Sequence, residues 1–363
     1  MPLPLVFDVA PIRVYWEVTR ACDLACVHCR AEAASRADPS ELDTRGGLRL
    51  LEQIAAAGPP RPHVILTGGD PLKRDDLFQL IASAHALGLH VSVSPSATPR
   101  LTEEAIDRLR VAGVEAISLS IDGSTSEEHD ALRGVRGCFD RTMAAAKRAT
   151  EVGLPFQVNT LVSRETLGDL PSIESLVRSI HADRWSLFFL VTVGRGSMLE
   201  AISASEAEGL LAWLAERALE PGPVMTTTEA PQFRRVVAEQ RRPGGAPIRG
   251  HGAGIRDGNG VMFIGHDGAV SPSGFLPLSA GNAKLENPIR LYRESPLFRA
   301  LRNADGFGGR CGRCEYRFVC GGSRARAYAA TGDPLAEDPL CTYQPRAPTF
   351  GSRPTAVSPG SAR

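Results

Sequence analysis

The chain has 363 residues, room for one barrel-sized α/β domain and a smaller second one. Its 41 basic and 41 acidic residues cancel, so the composition carries no footprint for nucleic acid or an anionic membrane surface as partner. No run approaches the ~20 apolar residues of a membrane span, and residues 1–8 lack the basic start and cleavage site of a signal peptide, which together place the chain in the cytoplasm.

Arg13–Thr19 is apolar and β-branched enough for a buried strand, and Cys22-x3-Cys26-x2-Cys29 follows it as a loop. Leu48, Leu50, Leu51, Ile54 and Ala55 recur at helical spacing until Gly58-Pro59-Pro60 stops them. A second strand over 63–67 breaks at Gly68-Gly69-Asp70-Pro71. Helix 77–87, strand 90–94, helix 103–111 and strand 116–121 come next. A helix over 139–152, a strand over 155–162, a helix over 170–180 and a strand over 184–191 complete the alternation. Six such units predict an α/β fold, a parallel sheet wound into a partial (β/α)6 barrel. Chemistry in such folds collects at the carboxyl ends of the strands, where the cysteine loop, 68–70, 94–96, 120–123 and Asn159 lie.

From about residue 200 the pattern changes. Ser203-Ala-Ser-Glu206 is a capping box for a helix over 210–219, and 241–260 is rich in Gly, Pro and Arg. Within it, 252–260 reads as a connector. Segments 261–264 and 269–271 read as a β-hairpin about Gly265-His-Asp-Gly268. The segment 306–345 is loop-rich, and 346–363 is predicted to be a disordered tail. The expected domains are 12–200, a core, and 201–345, a C-terminal unit.

Eight cysteines fall into a group of three, a group of four and the single Cys138, read as a small buried residue. In a reducing compartment such clustering points to metal ligation rather than disulfides. Cys22, Cys26 and Cys29 can hold three corners of a cubane iron–sulfur cluster, which leaves one iron without a protein ligand. A zinc site with His28 as fourth ligand is the alternative, though the strand-end placement favours the cluster and a second-shell or solvent-facing His28. Cys311-x2-Cys314-x5-Cys320-x20-Cys341 offers four thiolates to zinc or to a cluster. Gly68-Gly69-Asp70 allows close backbone approach and supplies a carboxylate for an ammonium group. It reads equally as a strand-to-helix turn capped by Asp70. Residues 226–229 and Arg234-Arg235, between the two cysteine groups, are candidate substrate contacts.

Taken together, the cysteine loop, Gly68-Gly69-Asp70-Pro71 and Ser120-Ile-Asp122-Gly123 resemble the radical S-adenosylmethionine (SAM) enzymes over roughly residues 12–195. The resemblance implies that Cys22, Cys26 and Cys29 hold a catalytic [4Fe–4S] cluster whose open iron chelates the amino and carboxylate groups of SAM. One electron then cleaves SAM to methionine and a 5′-deoxyadenosyl radical that abstracts hydrogen from substrate. Gly68, Gly69 and Asp70 match the family's Gly-Gly-Glu motif for the methionine amino group, with Asp one methylene shorter than the usual Glu. Ser120 and Asp122 match its strand-end contacts to the ribose or methionine part, with Asn159 a candidate of the same type. Arg133 or Arg141 would neutralise the methionine carboxylate.

The surroundings of Cys320-Gly321-Gly322 resemble the C-terminal region of the SPASM/twitch radical SAM enzymes. That implies an auxiliary [4Fe–4S] cluster on Cys311, Cys314, Cys320 and Cys341. Ser273 and Ser323-Arg324 stand where the full seven-cysteine pattern has further cysteines, leaving ligands for one cluster. The spacing is similar to the haem-biosynthetic branch, whose substrates are tetrapyrrole side chains; ribosomal-peptide maturation is the other implied substrate class. A reducing partner such as flavodoxin or ferredoxin is implied as well. The functional alternative is a non-enzymatic iron–sulfur electron carrier, which would have no use for the cofactor-like strand ends.

Overall fold

A computed structural model describes residues 7–240 and 254–346. The tail expected over 346–363, apart from Arg346, and the first part of the Gly-rich connector lie outside them. The chain alternates β1 (Arg13–Thr19), α1 (Thr44–Ala55), β2 (His63–Gly68), α2 (Leu77–Ala86), β3 (His90–Val93), α3 (Glu103–Val111) and β4 (Ala116–Ser120). It continues through α4 (Ser126–Arg133), α5 (Cys138–Glu151), β5 (Phe156–Val162), α6 (Leu170–Ser179), β6 (Arg184–Phe189), α7 (Ala204–Arg217), β7 (Val224–Thr228) and α8 (Gln232–Gln240). The expected α/β alternation is present, with β7 added as a further parallel strand beside β6. Ser203 and Glu206 form the predicted capping box at the start of α7.

After the connector come β8 (Arg256–Asp257), β9 (Gly260–Ile264), β10 (Ala269–Ser271) and β11 (Gly281–Asn282). The β9–β10 hairpin forms as predicted, but β9 also pairs in parallel with β1. The whole is one 11-stranded sheet, in the order β11-β10-β9-β1-β2-β3-β4-β5-β6-β7 with β8 beside β9. Residues beyond 200 therefore extend the sheet at both edges. Short helices α9 (Pro288–Glu294), α10 (Pro296–Arg302), α11 (Gly309–Arg313) and α12 (Arg324–Thr331) complete the chain.

Strand alternation divides the sheet by chemistry. The face carrying Val14, Trp16, Leu66, Val91, Ile117, Leu119, Val158, Trp185 and Leu187 is sealed beneath the helices. Trp16 lies against α1 so closely that a Cβ on Gly47 would sit 2.8 Å from its ring. The opposite face is polar and half-buried. Register aligns Ser120 with Asn159, Asn159 with Ser186 and Ser186 with Thr226, a row of polar side chains across β4, β5, β6 and β7. Each member of this row is neutral and small. Among the described residues no helix is long and apolar enough to cross a membrane.

On the polar face of β1, Glu17 is 4% exposed and holds the hairpin edge in place. Its carboxylate accepts from Arg30 at 2.8 Å and pairs with His266 Nδ1, in the β9–β10 turn, at 2.8 Å. Burial works to raise the Glu17 carboxyl, but the His266 and Arg30 bonds outweigh it and leave it below its usual range. The same bond raises His266 against the opposing effect of its own burial. A histidine raised by folding stabilises fully below its unfolded pKa of about 6.5, and that contribution is lost as pH climbs through the folded value. Urea midpoints of the wild type are therefore expected to fall as pH rises above about 6.5, and His266→Gln is expected to flatten that slope. An equal slope in the variant would remove this assignment.

Candidate cofactor and metal sites

The cysteine loop leaves the carboxyl end of β1 and is fastened from several sides. Glu41 accepts from Thr19 Oγ1 at 2.9 Å, Arg20 N at 2.8 Å and Asp38 N at 3.0 Å. Cys22 N donates to Ala34 O at 2.7 Å, and Ala25 N and Val27 N donate to the last carbonyls of α4. After β6, Arg195 N donates to Cys29 O at 3.1 Å, so the loop also meets the far side of the sheet. Cys22 and Cys26 are buried and Cys29 half-buried. Backbone N–H groups of Leu24 and Ala33 point at Cys22 Sγ and Cys29 Sγ at 3.4 and 3.5 Å. Such N–H···S contacts favour thiolate and tune a bound metal centre.

Gly68 and Gly69 stand where expected, but the close approach they permit is to the cysteine loop's own backbone. A Cβ on Gly69 would lie 2.4 Å from Ala21 O, and one on Gly68 2.3 Å from Thr19 O. Gly69 N and Asp70 N donate to Thr19 O and Ala21 O, each at 2.7 Å. Asp70 is fully buried and caps the short 3₁₀ turn Pro71–Lys73. Its carboxylate accepts from Thr98 Oγ1 at 2.6 Å, Leu72 N at 3.1 Å and Ser96 N at 3.3 Å. The capping role weighed from sequence is thus present, and these donors only partly offset the burial that raises its carboxyl.

Ser120 and Asn159 are half-buried cross-strand neighbours on the polar face. Asp122 does not share that outlook. β4 ends at Ser120, so the two-residue alternation stops and the Asp122 carboxylate turns inward. It accepts from Leu161 N at 2.7 Å and pairs with Arg133, which in turn reaches Cys26 Sγ at 3.8 Å. Burial pushes Asp122 up, yet Arg133 and the neighbouring histidines win and hold it below its usual range. His28 is half-buried, its Nδ1 is enclosed without a partner, and burial with the Arg133 charge lowers it to about 4. Arg195, missed in the sequence reading, acts electrostatically on His28 and keeps Nε and Nη2 buried without partners. Arg141 donates to Ala97 O at 2.8 Å and leaves Nη2 unpartnered. Unsatisfied buried donors are costly, so the guanidiniums of Arg195 and Arg141 fit a missing anionic group.

The second cysteine group converges. Cys311, Cys314, Cys320 and Cys341 all line one pocket, together with Arg310, Tyr316 and Tyr343. Cys311 Sγ accepts from Asp338 N at 3.5 Å and Arg324 Nη2 at 3.6 Å; Cys314 and Cys320 accept from Tyr316 N and Gly322 N, each at 3.4 Å. Burial raises the free Cys320 thiol to about 12 and Cys341 to about 11, so metal binding there must displace protons. The serines that interrupt the longer cysteine pattern are engaged elsewhere. Ser273 Oγ accepts from Phe275 N, and Ser323 caps α12 while donating to Glu229.

Among the described residues only His129, Asp130 and Cys138 bring three potential ligand atoms within 4.8 Å of one another. The His129–Asp130–Cys138 group is knit into the chain instead: His129 Nδ1 accepts from Asp122 N at 3.1 Å, and Asp130 accepts from Gly137 N and Phe139 N. Cys138 is a buried small residue, as read from sequence.

A parallel α/β sheet with cysteines and orphaned donors gathered at its carboxyl edge defines an enzyme whose cofactor binds at the strand ends. Residues 16–177 match the Radical SAM superfamily. The AdoMet-dependent heme synthase of Oleidesulfovibrio alaskensis is 39% identical over 342 residues, covering 92% of this chain and 87% of its own. That of Methanosarcina barkeri is 38% identical over 344 residues, covering 93% and 97%. Pre-heme d1 synthase of Dinoroseobacter shibae is 32% identical, covering 90% and 85%. Streptococcus suis SuiB, solved with its precursor peptide SuiA, shares the fold at a TM-score of 0.70 and 18% identity, covering 93% of this chain and 77% of that one. The chain belongs to the radical SAM superfamily of enzymes, among its SPASM/twitch-type members. Membership implies SAM and a [4Fe–4S] cluster as cofactors.

The Asp122–Arg133 pair sits at the join of β4, α4 and the cysteine loop. Asp122→Asn leaves the Arg133 charge buried without its partner and is expected to cost about 3–5 kcal/mol in denaturant unfolding. A cost below about 1 kcal/mol, the range of surface pairs, would contradict that placement.

Proposed function

We propose that the chain is a two-cluster radical SAM enzyme that modifies a side chain of a tetrapyrrole. The observation that carries the two-cluster reading is the single pocket lined by all four C-terminal cysteines, separate from the loop that contains Cys22, Cys26 and Cys29. When bound, the first cluster and SAM supply reductive cleavage of a sulfur–carbon bond and hydrogen abstraction from substrate. The chain's own residues do the rest. Cys22, Cys26 and Cys29 would hold the cluster, with N–H donors from Leu24 and Ala33 favouring their thiolates. Gly68 and Gly69 bring the end of β2 against the cysteine loop, and Asp70 locks that turn beside Ser96 and Thr98. Ser120 and Asn159 offer hydrogen-bonding groups to the cofactor's polar parts from the open face. Asp122 acts through Arg133, orienting the guanidinium that reaches Cys26. Arg195 and Arg141 offer unpaired nitrogens to a carboxylate.

The auxiliary [4Fe–4S] cluster on Cys311, Cys314, Cys320 and Cys341 would pass an electron to or from the substrate radical, and a reducing partner such as flavodoxin or ferredoxin would supply the electron for SAM cleavage. The tetrapyrrole reading is supported by relatives at 38–39% identity that are named heme synthases. A peptide substrate is the second reading, favoured by PqqA peptide cyclase of Ruegeria pomeroyi at 29% identity. Membership in an enzyme family counts against a mere electron carrier.

Anaerobic reconstitution is expected to give about eight irons per chain, as two cubanes require. Incubation with SAM and dithionite is then expected to release 5′-deoxyadenosine. Cys22→Ala is expected to abolish that release, and Cys320→Ala to lower the iron to about four. Eight irons with no 5′-deoxyadenosine would sink the enzyme assignment; about four irons with bound zinc in the wild type would sink the auxiliary cluster.

A further inference from the structure

Two buried guanidiniums beside the C-terminal cysteines have no carboxylate partner. Arg324, at the start of α12, is 0% exposed. Its Nη2 reaches Cys311 Sγ at 3.6 Å, and its other bonds go to carbonyls: Nη1 to Ala336 O at 2.7 Å and Pro334 O at 3.2 Å, Nε to Gly322 O at 3.3 Å. A Cβ on Gly322 would lie 2.5 Å from Arg324 Nη2 and 3.1 Å from Cys311 Sγ, so this glycine is what lets guanidinium and sulfur meet. Arg256 is held in the same way. It donates to Gly254 O at 3.0 Å, Leu301 O at 3.3 Å and Arg302 O at 3.4 Å. A Cβ on Gly321, the residue after Cys320, would meet its Cδ and Nε at 3.1 Å. The two guanidiniums share the Phe307 ring, at 4.5 Å for Arg324 and 5.1 Å for Arg256.

The arginines that line the cysteine pocket are neutralised instead. Arg235 pairs with Glu208 and Glu239, Arg310 with Glu337 and Arg317 with Asp305. At the first cysteine loop the guanidinium that reaches a sulfur, Arg133 at Cys26, is paired with Asp122. Among the described residues neither Arg324 nor Arg256 makes an ion pair, whereas Arg326, two positions beyond Arg324, pairs with Asp338. A guanidinium keeps its charge in a protein interior, and a buried charge without a counter-ion is costly. Four thiolates leave a cubane net negative, which supplies the counter-ion, and reduction adds one more negative charge beside it. An unneutralised cation at that distance therefore favours the reduced state, and a cation already paired with a carboxylate does so far less. Ser323-Arg324, which interrupts the longer cysteine pattern, thus provides a charge where that pattern has a ligand.

Resting on the two-cluster reading, we propose that Arg324, with Arg256 beside it, raises the reduction potential of the cluster on Cys311, Cys314, Cys320 and Cys341 above that of the cluster on Cys22, Cys26 and Cys29. Arg324 thereby makes the C-terminal cluster the one-electron acceptor. The substrate-centred carbon radical is oxidised, the cluster is reduced by that electron, and the resulting cation closes to a double bond by shedding a proton or carbon dioxide from the neighbouring carbon.

Potentiometric reduction of the anaerobically reconstituted holoenzyme in the presence of SAM, followed by electron paramagnetic resonance, tests this. In the wild type the signal indifferent to SAM is expected to have the higher midpoint. Arg324→Gln keeps N–H donors and removes the charge. Loaded with about eight irons per chain, it is expected to lower that midpoint by about 59 mV or more, a tenfold loss in the one-electron reduction equilibrium, and to leave the SAM-responsive signal in place. Arg324→Lys is expected to restore most of the loss. If Arg324→Gln loads only about four irons, Arg256→Gln takes its place, with a fall in the same midpoint expected. An unchanged midpoint in the fully loaded variant, or a SAM-indifferent signal with the lower midpoint in the wild type, overturns the proposal and leaves the two-cluster reading intact. Wild type that takes up only about four irons overturns both.

Discussion

The ion pair of Asp122 with Arg133 is the constraint on which the rest depends. It joins the end of β4 to the end of α4, and Arg133 then reaches from the sheet to Cys26. The last carbonyls of α4 receive the N–H groups of Ala25 and Val27, so the same helix fixes the backbone and the sulfur of the loop. A buried charge is tolerated only with its partner, and the geometry of the cysteine loop is set by that requirement. Gly68 and Gly69 close the loop from the other side by admitting the backbone of Thr19–Ala21 where any Cβ would collide.

Around that centre the sheet separates stability from function. One face is sealed by Trp16, Trp185 and aliphatic side chains beneath helices and supplies the hydrophobic driving force. The other keeps Ser120, Asn159, Ser186 and Thr226 in one polar row, with Glu17 fixed by Arg30 and His266. A parallel sheet buried on both faces would be apolar on both. The inner face of this sheet instead carries a polar row that crosses four strands.

Much of this was legible in the chain. Strands β1 to β6 and their helices follow from apolar runs broken by Gly and Pro, and the three-cysteine loop was recognisable by spacing and position. The helix α4, Ser-Glu-Glu-His-Asp-Ala-Leu-Arg, was missed because it has almost no apolar period and depends on the Thr125 cap and the Gly134 stop. The strand β7, Val-Met-Thr-Thr-Thr, was read as a substrate segment because its threonines face a polar interior rather than a core. The parallel pairing of β9 with β1 joins residues about 250 apart, a link that no local pattern encodes. At the site, giving Asp122 the outlook of Ser120 extends an alternation that ends two residues before it. Arg195 and Glu41 were invisible because their roles arise from tertiary proximity to the loop. The four C-terminal cysteines were the reverse case: 30 residues separate the first from the last, yet they were grouped from sequence and they line one cavity.

Electron paramagnetic resonance of the dithionite-reduced holoenzyme, with and without SAM, tests the central claim most directly. Two reduced-cluster signals are expected, of which one shifts on addition of SAM and is absent from Cys22→Ala, while the other is indifferent to SAM and absent from Cys320→Ala. A single signal that SAM leaves unchanged would contradict an open-iron cluster at Cys22, Cys26 and Cys29 paired with a fully ligated one at the C-terminal cysteines.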